Sequence, residues 1–155
     1  FNNVTFSDCE FEEVVFEKCK FDSVKLDNVK LNGVTFKNCE FKNVNFSKIS
    51  KFIIDFKIID SFIKFCIFDD LELDDLEFLK NEFESCTFQK CSLKKSKFNN
   101  SNFKDTVFYE CNLEKSDLSD CSSLEIDVMN NRTKGAKVSI DLALNIVKKL
   151  GLKIV

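Results

Sequence analysis

Six carboxylates crowd into nine residues of this sequence, at Asp69, Asp70, Glu72, Asp74, Asp75 and Glu77. Two such acids cleave glycosidic bonds when they flank a concave pocket and one has a raised pKa. A non-catalytic use is also open to them, as an acidic strip imitating the phosphates of a nucleic-acid duplex. Against both uses, a lysine follows four of them at a distance of twenty residues: Lys90, Lys94, Lys95 and Lys97 after Asp70, Asp74, Asp75 and Glu77. Eight cysteines (Cys9, Cys19, Cys39, Cys66, Cys86, Cys91, Cys111 and Cys121) raise the question of metal or thiol chemistry. A metal site asks for CxxC-like clustering with His or acids. No such cluster occurs, and the chain has no His, which also removes every His-based triad. The three glycines form no phosphate-cradling motif. No catalytic, metal-binding or cofactor-binding residue is assigned, no cofactor is expected, and the reading is not an enzyme.

The elements that would position these residues follow from a repeat. From Phe1 to Phe46 every fifth residue is Phe or Leu, and the same period runs from Phe68 to Leu118, extended backwards through Ile63, Ile58 and Ile53. These columns hold 15 of the 19 Phe, a concentration that only a structural period explains. Two residues before the large ones, over 4–44 and 66–121, lies a smaller column of Val, Cys, Leu, Asn, Ser and Thr, and all eight cysteines fall in it. Five residues advance an α-helix by about 140° past a full turn, so no helical face can hold the column. Positions two apart share one face of a strand. The chain must therefore bend once per repeat to keep both columns inward, which makes a coil with one short strand per side.

Charge sets the number of sides. With four sides, residue n stacks on n+20 at about 4.8 Å. Over 53–128 there are eleven opposite-charge pairs at +20 against three like pairs, whereas at +15 there are five against six. Opposite charges across neighbouring strands stabilise and like charges oppose, so four sides win. The earlier tract adds Glu10/Lys30, Glu17/Lys37, Lys20/Glu40 and Asp22/Lys42.

The pattern resembles the pentapeptide-repeat family, whose repeat is small-polar-Leu/Phe-polar-polar. The resemblance implies an all-β fold, a right-handed quadrilateral parallel β-helix, to which the tail read below adds a C-terminal capping α-helix. It covers 1–128 as the repeat solenoid, in two tracts with a register break near 47–52, and leaves 129–155 as a C-terminal cap. Val and Cys replace the family's frequent Ala in the small column. The cysteines read as compact buried hydrophobes, and eight reduced thiols fit a cytoplasmic location.

The stretch 52–68 puts large apolar groups at outward positions. Ile54, Ile59 and Phe62, with Phe65 and Ile67, are candidates for a partner surface alongside the acidic residues. Beyond Val128 the repeat stops. Ser139 is an N-cap candidate and Gly151 a stop, giving a helix over about 140–150. Its polar residues cover an arc of only about 100°. The remaining apolar surface is wider than capping the coil requires, so Ile140, Leu144, Val147 and Leu150 are the candidate dimer interface. Leu152, Ile154 and Val155 are expected to add a short strand.

The tail, through Gly135-Ala-Lys-Val138 and Leu150-Gly-Leu-Lys-Ile154, resembles that of the Qnr-type quinolone-resistance pentapeptide proteins. That likeness implies a homodimer through the helix and a protein partner, DNA gyrase, bound by duplex mimicry. The balanced charge of this chain, −3 overall, argues for a more general interaction role. Without a basic excess or a long apolar run, direct binding to nucleic acid or to a membrane is not expected.

Overall fold

The computed structural model describes residues 1–155, as a parallel β-solenoid of about six turns followed by a single helix. Each repeat contributes a strand of about three residues with the large side chain at its centre pointing inward, as in Glu82–Glu84 around Phe83 and Thr87–Gln89 around Phe88. Two residues past the large one the backbone turns through a left-handed conformation, for example Asn43 at φ 54 and Asp105 at φ 53. Asn and Asp tolerate this conformation best among non-glycine residues, which explains the polar filling of that position.

Four ladders of strands make the four sides. The first carries Glu10–Glu12 beneath the start of Lys30–Lys37, continued by bridges through Glu72, Ser92 and Asn112. The second carries Val15–Glu17, the end of Lys30–Lys37, Ile54–Ile59 and Glu77–Leu79. The third runs through Lys20–Asp22, Glu40–Lys42, Phe62–Lys64, Glu82–Glu84 and Asn102–Lys104. The fourth runs through Ile67–Asp69, Thr87–Gln89 and Val107–Tyr109. Partners sit twenty apart, as in Phe83↔Phe103 and Phe88↔Phe108.

Inside, the rings form vertical stacks. Phe68 and Phe88 lie 4.5 Å apart and 4° from parallel, and Phe88 and Phe108 4.8 Å apart. Rings on facing sides meet edge to face, as Phe88 and Phe98 do at 87°. Both arrangements are favourable for the aromatic quadrupole.

The small column solves a hydrogen-bonding problem at the corners. A backbone N–H there points along the rod axis into the interior, where an unmet donor is expensive. Side chains one coil up accept it: Asn81 Oδ1 from Ser61 at 2.9 Å, Ser101 Oγ from Asn81 at 3.0 Å, and Asn131 Oδ1 from Cys111 at 2.8 Å. Cysteines do the same, Cys86 Sγ accepting from the Cys66 N–H and Cys111 Sγ from that of Cys91. Their own S–H groups donate downward, Cys86 to the Ile63 carbonyl and Cys91 to that of Phe68. Cys and small polar residues thus replace Ala where an acceptor is wanted.

The tracts join at a shift of register. Phe36↔Ile58 and Phe41↔Ile63 are twenty-two apart, and Leu31↔Ile54 twenty-three. Phe46–Lys48 forms a short 3-10 turn capped by the Asn45 side chain, and the Ser50 N–H still reaches the Val29 carbonyl. The surplus leaves the coil at 51–53, where Phe52 is 85% exposed. Ile53 is exposed too, so it does not belong to the inward column; Phe56 is fully buried in the small column, and Ile58 resumes the large one.

At the far end Lys137–Val138 pairs with Asp117–Leu118. The helix Ile140–Lys149 starts at Ser139, whose side chain accepts from the Leu142 N–H, and carries Asp141 in its first turn and Lys148 and Lys149 in its last. These charges suit the helix dipole. Gly151, at φ 78, ends it. The expected terminal strand does not form: Leu152, Ile154 and Val155 are exposed coil. No helix is long and apolar enough to cross a membrane.

Candidate functional site

Nine residues of a five-residue repeat pass two corners, so the acidic stretch becomes a band around the rod. Asp69 sits on the fourth side and Asp70 at the next corner; Glu72 and Asp74 follow on the first side, Asp75 at its far corner and Glu77 on the second side. Along the axis, most of these carboxylates meet a cation. Glu77 lies between Lys57 at 3.4 Å and Lys97 at 2.9 Å, Asp74 pairs with Lys94 at 3.1 Å, and Asp75 with Lys95 at 4.0 Å. Asp70 pairs with Lys51, in the loop, where the spacing pointed to Lys90. Glu72 and Asp69 have no ion pair, and Asp69 Oδ1 is shielded without a hydrogen-bond donor.

Electrostatics follow this geometry. Hydrogen bonding and charge from Lys97 hold the Glu77 carboxyl below its usual range, against partial burial. Burial pushes Asp74 up, but bonds from the Ser92 hydroxyl and from Lys94 outweigh it. Every carboxylate whose pKa moves is moved down, the opposite of what a general acid needs.

The apolar candidates divide. Ile54 and Ile59 are half-buried, Ile59 beside Leu79, whereas Phe62 is 62% exposed on the third side. Phe65 and Ile67 continue that exposure around the corner onto the fourth side. Of the tail residues, Leu142 is buried and Ile146 packs against the core. Ile140 is 79% exposed, Leu150 is exposed, and Leu144 and Val147 are half-buried.

The thiols are inner groups. Five are buried, and Cys9, Cys19 and Cys121 are half-buried. The neighbouring thiols of Cys86 and Cys111, together with burial, push Cys66 and Cys91 up, so these two thiols stay protonated. Burial pushes Cys121 up to about 12. No three His, Cys, Asp or Glu residues converge as a metal site. A groove of about 1120 Å³ opens between the last coil and the helix, bordered by Asp105, Asp120, Asp141 and the Lys149–Glu125 pair.

A coil with Phe stacked inside, left-handed corners and four parallel ladders defines the class of protein, and comparison with known families agrees. The family model "Pentapeptide repeats" matches over residues 1–38, 19–49 and 83–122. The chain belongs to the pentapeptide-repeat family. Among solved structures, a trypsin-treated form of QnrB1, a plasmid-mediated fluoroquinolone resistance protein, superposes with a TM-score of 0.73 at 16% identity, covering 99% of this chain and 89% of that one. A second trypsin-treated form gives 0.68 at 13% identity, covering 99% and 96%. At these identities the likeness is one of fold. No curated protein matches the sequence.

Proposed function

We propose that this chain is a non-enzymatic binding rod that presents its outer sides to a protein partner and pairs with a second copy through its C-terminal helix. The observation that carries this reading is where the uncompensated groups lie. The interior is filled by stacked rings and its polar groups are bonded between coils, while Phe62, Phe65, Ile67, Ile140 and Leu150 remain exposed. Contiguous apolar exposure on a soluble surface is the usual mark of a contact site. The acidic band from Asp69 to Glu77 borders that surface. Capture of partners on immobilised protein, at low and at high salt, tests the reading. A stoichiometric partner retained at high salt is expected; no retention at either salt contradicts it.

Gyrase protection of the Qnr type is the second reading, favoured by the end-to-end likeness to QnrB1. Duplex mimicry requires unpaired acids along the rod, because a duplex carries a charge every ~1.7 Å. Here axial columns alternate in sign, as in Lys57, Glu77 and Lys97. Gyrase binding is therefore expected to be weak and salt-sensitive, and tight binding at physiological salt would favour this second reading.

A further inference from the structure

The fourth side of the rod differs from the other three. Inter-coil ion pairs line those three, as in Lys94–Asp74, Lys97–Glu77 and Lys64–Glu84, and none joins two strands of the fourth. From its strand Ile67–Asp69 to Val107–Tyr109 the outward residues are Ile67, Asp69, Thr87, Gln89, Val107 and Tyr109, with one charge among them. Ile67, Thr87 and Val107 stand in one column, and Ile67 and Val107 are exposed.

Phe65 stands at the corner of this side, 46% exposed and at φ 54. Every other non-glycine residue with positive φ in the chain is Asn, Asp, Ser, Lys or Glu. A left-handed conformation costs a bulky residue on the order of 1–2 kcal/mol, and the Phe65 ring recovers little by packing, its marked neighbour being the Lys64 ammonium 5.0 Å from the centroid. Strain carried by an exposed ring points to a use outside the coil. Three carboxylates around the surface have no ion pair, Asp69 on it and Asp105 and Glu110 at its corners; of the lysines at those corners, Lys51 is taken by Asp70 and Lys90 stands alone.

We propose that the fourth side docks a basic amphipathic helix of a partner protein, laid along the rod axis. This names the partner chemistry of the binding-rod reading and rests on it. The backbone groups of these strands are already paired between coils, so no extra strand can add here and recognition must run through side chains. A helical turn of about 5.4 Å nearly matches the coil spacing of about 4.8 Å. Apolar residues at i, i+3 or i+4, and i+7 of such a helix therefore fall over Ile67, Thr87 and Val107 in succession. Its flanking Lys or Arg residues meet Asp69, Asp105 and Glu110, and Phe65 and Tyr109 close the sides. The exposed apolar groups here are only Phe65, Ile67, Val107 and Tyr109, too few for a standard interface of ~800 Å² per partner. That suits a narrow helix better than a second rigid copy.

The probe is a labelled helical peptide of roughly fifteen residues, Leu on one stripe and Lys elsewhere. Controls replace Lys by Glu or alternate Leu and Lys. Fluorescence anisotropy against the full chain at physiological salt should give saturable binding of the basic helix alone. Binding should fall at least about tenfold in the Ile67→Lys, Val107→Lys double variant, and hold in Asn99→Lys on the second side. Phe65→Asn should bind several-fold more weakly yet unfold at a higher midpoint, because Asn accepts the corner conformation. Equal binding of the acidic peptide, or no loss in the double variant, overturns the proposal. A lower midpoint for Phe65→Asn overturns the strain argument, and a change in oligomeric mass in the double variant reassigns the side to a second copy. Partners captured from lysate by the double variant as well as by the wild type would leave the binding-rod reading standing while removing this one.

Discussion

Phe46 and Phe68 stack with ring centroids 4.6 Å apart and planes 8° from parallel, although twenty-two positions separate them, where Phe68 and Phe88 in the next coil are separated by twenty. The stack is kept and the surplus chain is expelled into the loop at 51–53. Packing of the rings thus outranks the regularity of the path between them, and each ring supports those above and below.

Phe88→Ala tests that hierarchy. Phe88 is fully buried between Phe68 and Phe108, and emptying such a site costs about 3–5 kcal/mol. Loss should spread to adjoining coils, because each repeat is stable only against its neighbours. Chemical denaturation of Phe88→Ala beside the half-buried Asn99→Ala measures it. Equal midpoints would show that the stack does not hold the rod together.

The corner ladder makes a separate prediction. Asn81 accepts from the Ser61 N–H and donates to the Ile58 carbonyl at 2.7 Å. Asn81→Ala leaves both unpaired in the interior and should cost about 1–3 kcal/mol per group. Asn81→Ser should recover part of this, since Ser101 already accepts from Asn81 and donates to the Phe78 carbonyl with one hydroxyl. Stability of Asn81→Ser no better than that of Asn81→Ala would contradict the account.

Much of this was open to reading in the sequence, and the misses have physical causes. Period five, the inward columns and the +20 charge partners depend on neighbours along the chain or one coil away, and four of the first tract's pairs, such as Lys20–Glu40 at 2.9 Å, form as spaced. The period assigns Ile53 to the inward column, but 52–54 and Phe56 are all large and apolar, so spacing alone does not say which turns inward. Lys51 takes Asp70 from Lys90 because it rides on the expelled loop. The corner acceptors were hinted at by polar Asn81, Ser96, Ser101 and Thr106 in an inward column, but their donors are visible only once coils are stacked.

Thiol accessibility follows from the two classes of cysteine. Titration of the native protein should leave Cys39, Cys66, Cys86, Cys91 and Cys111 slow and let the half-buried Cys9, Cys19 and Cys121 react in part. All eight should react after denaturation. Rapid native labelling of Cys86 or Cys111 would contradict the inward column.

Acid should weaken the fold in a defined direction. Asp74, Glu77 and Asp117 have folded pKa values below their ordinary ones. The stability they add is present above the unfolded carboxylate range of about 4 and is lost as pH falls through the lowered values. Partial exposure limits each pair to less than about 1 kcal/mol. Unfolding midpoints against pH should show a shallower acid limb in Glu77→Gln; an unchanged limb would show that its pairs with Lys57 and Lys97 contribute nothing.

Pairing through the tail is the claim on which the proposed role as a paired binding rod stands. Ile140 and Leu150 are exposed, and Leu144 and Val147 are half-covered, on the edge of the helix that Leu142 and Ile146 leave free. A symmetric two-fold contact covers such an edge on both copies at once. Light scattering of the wild type and of Leu144→Asp measures it most directly. The account predicts a mass of about twice 18.0 kDa for the wild type, with the variant monomeric or aggregated. A wild type that scatters as a single 18.0 kDa chain at micromolar concentration would contradict it.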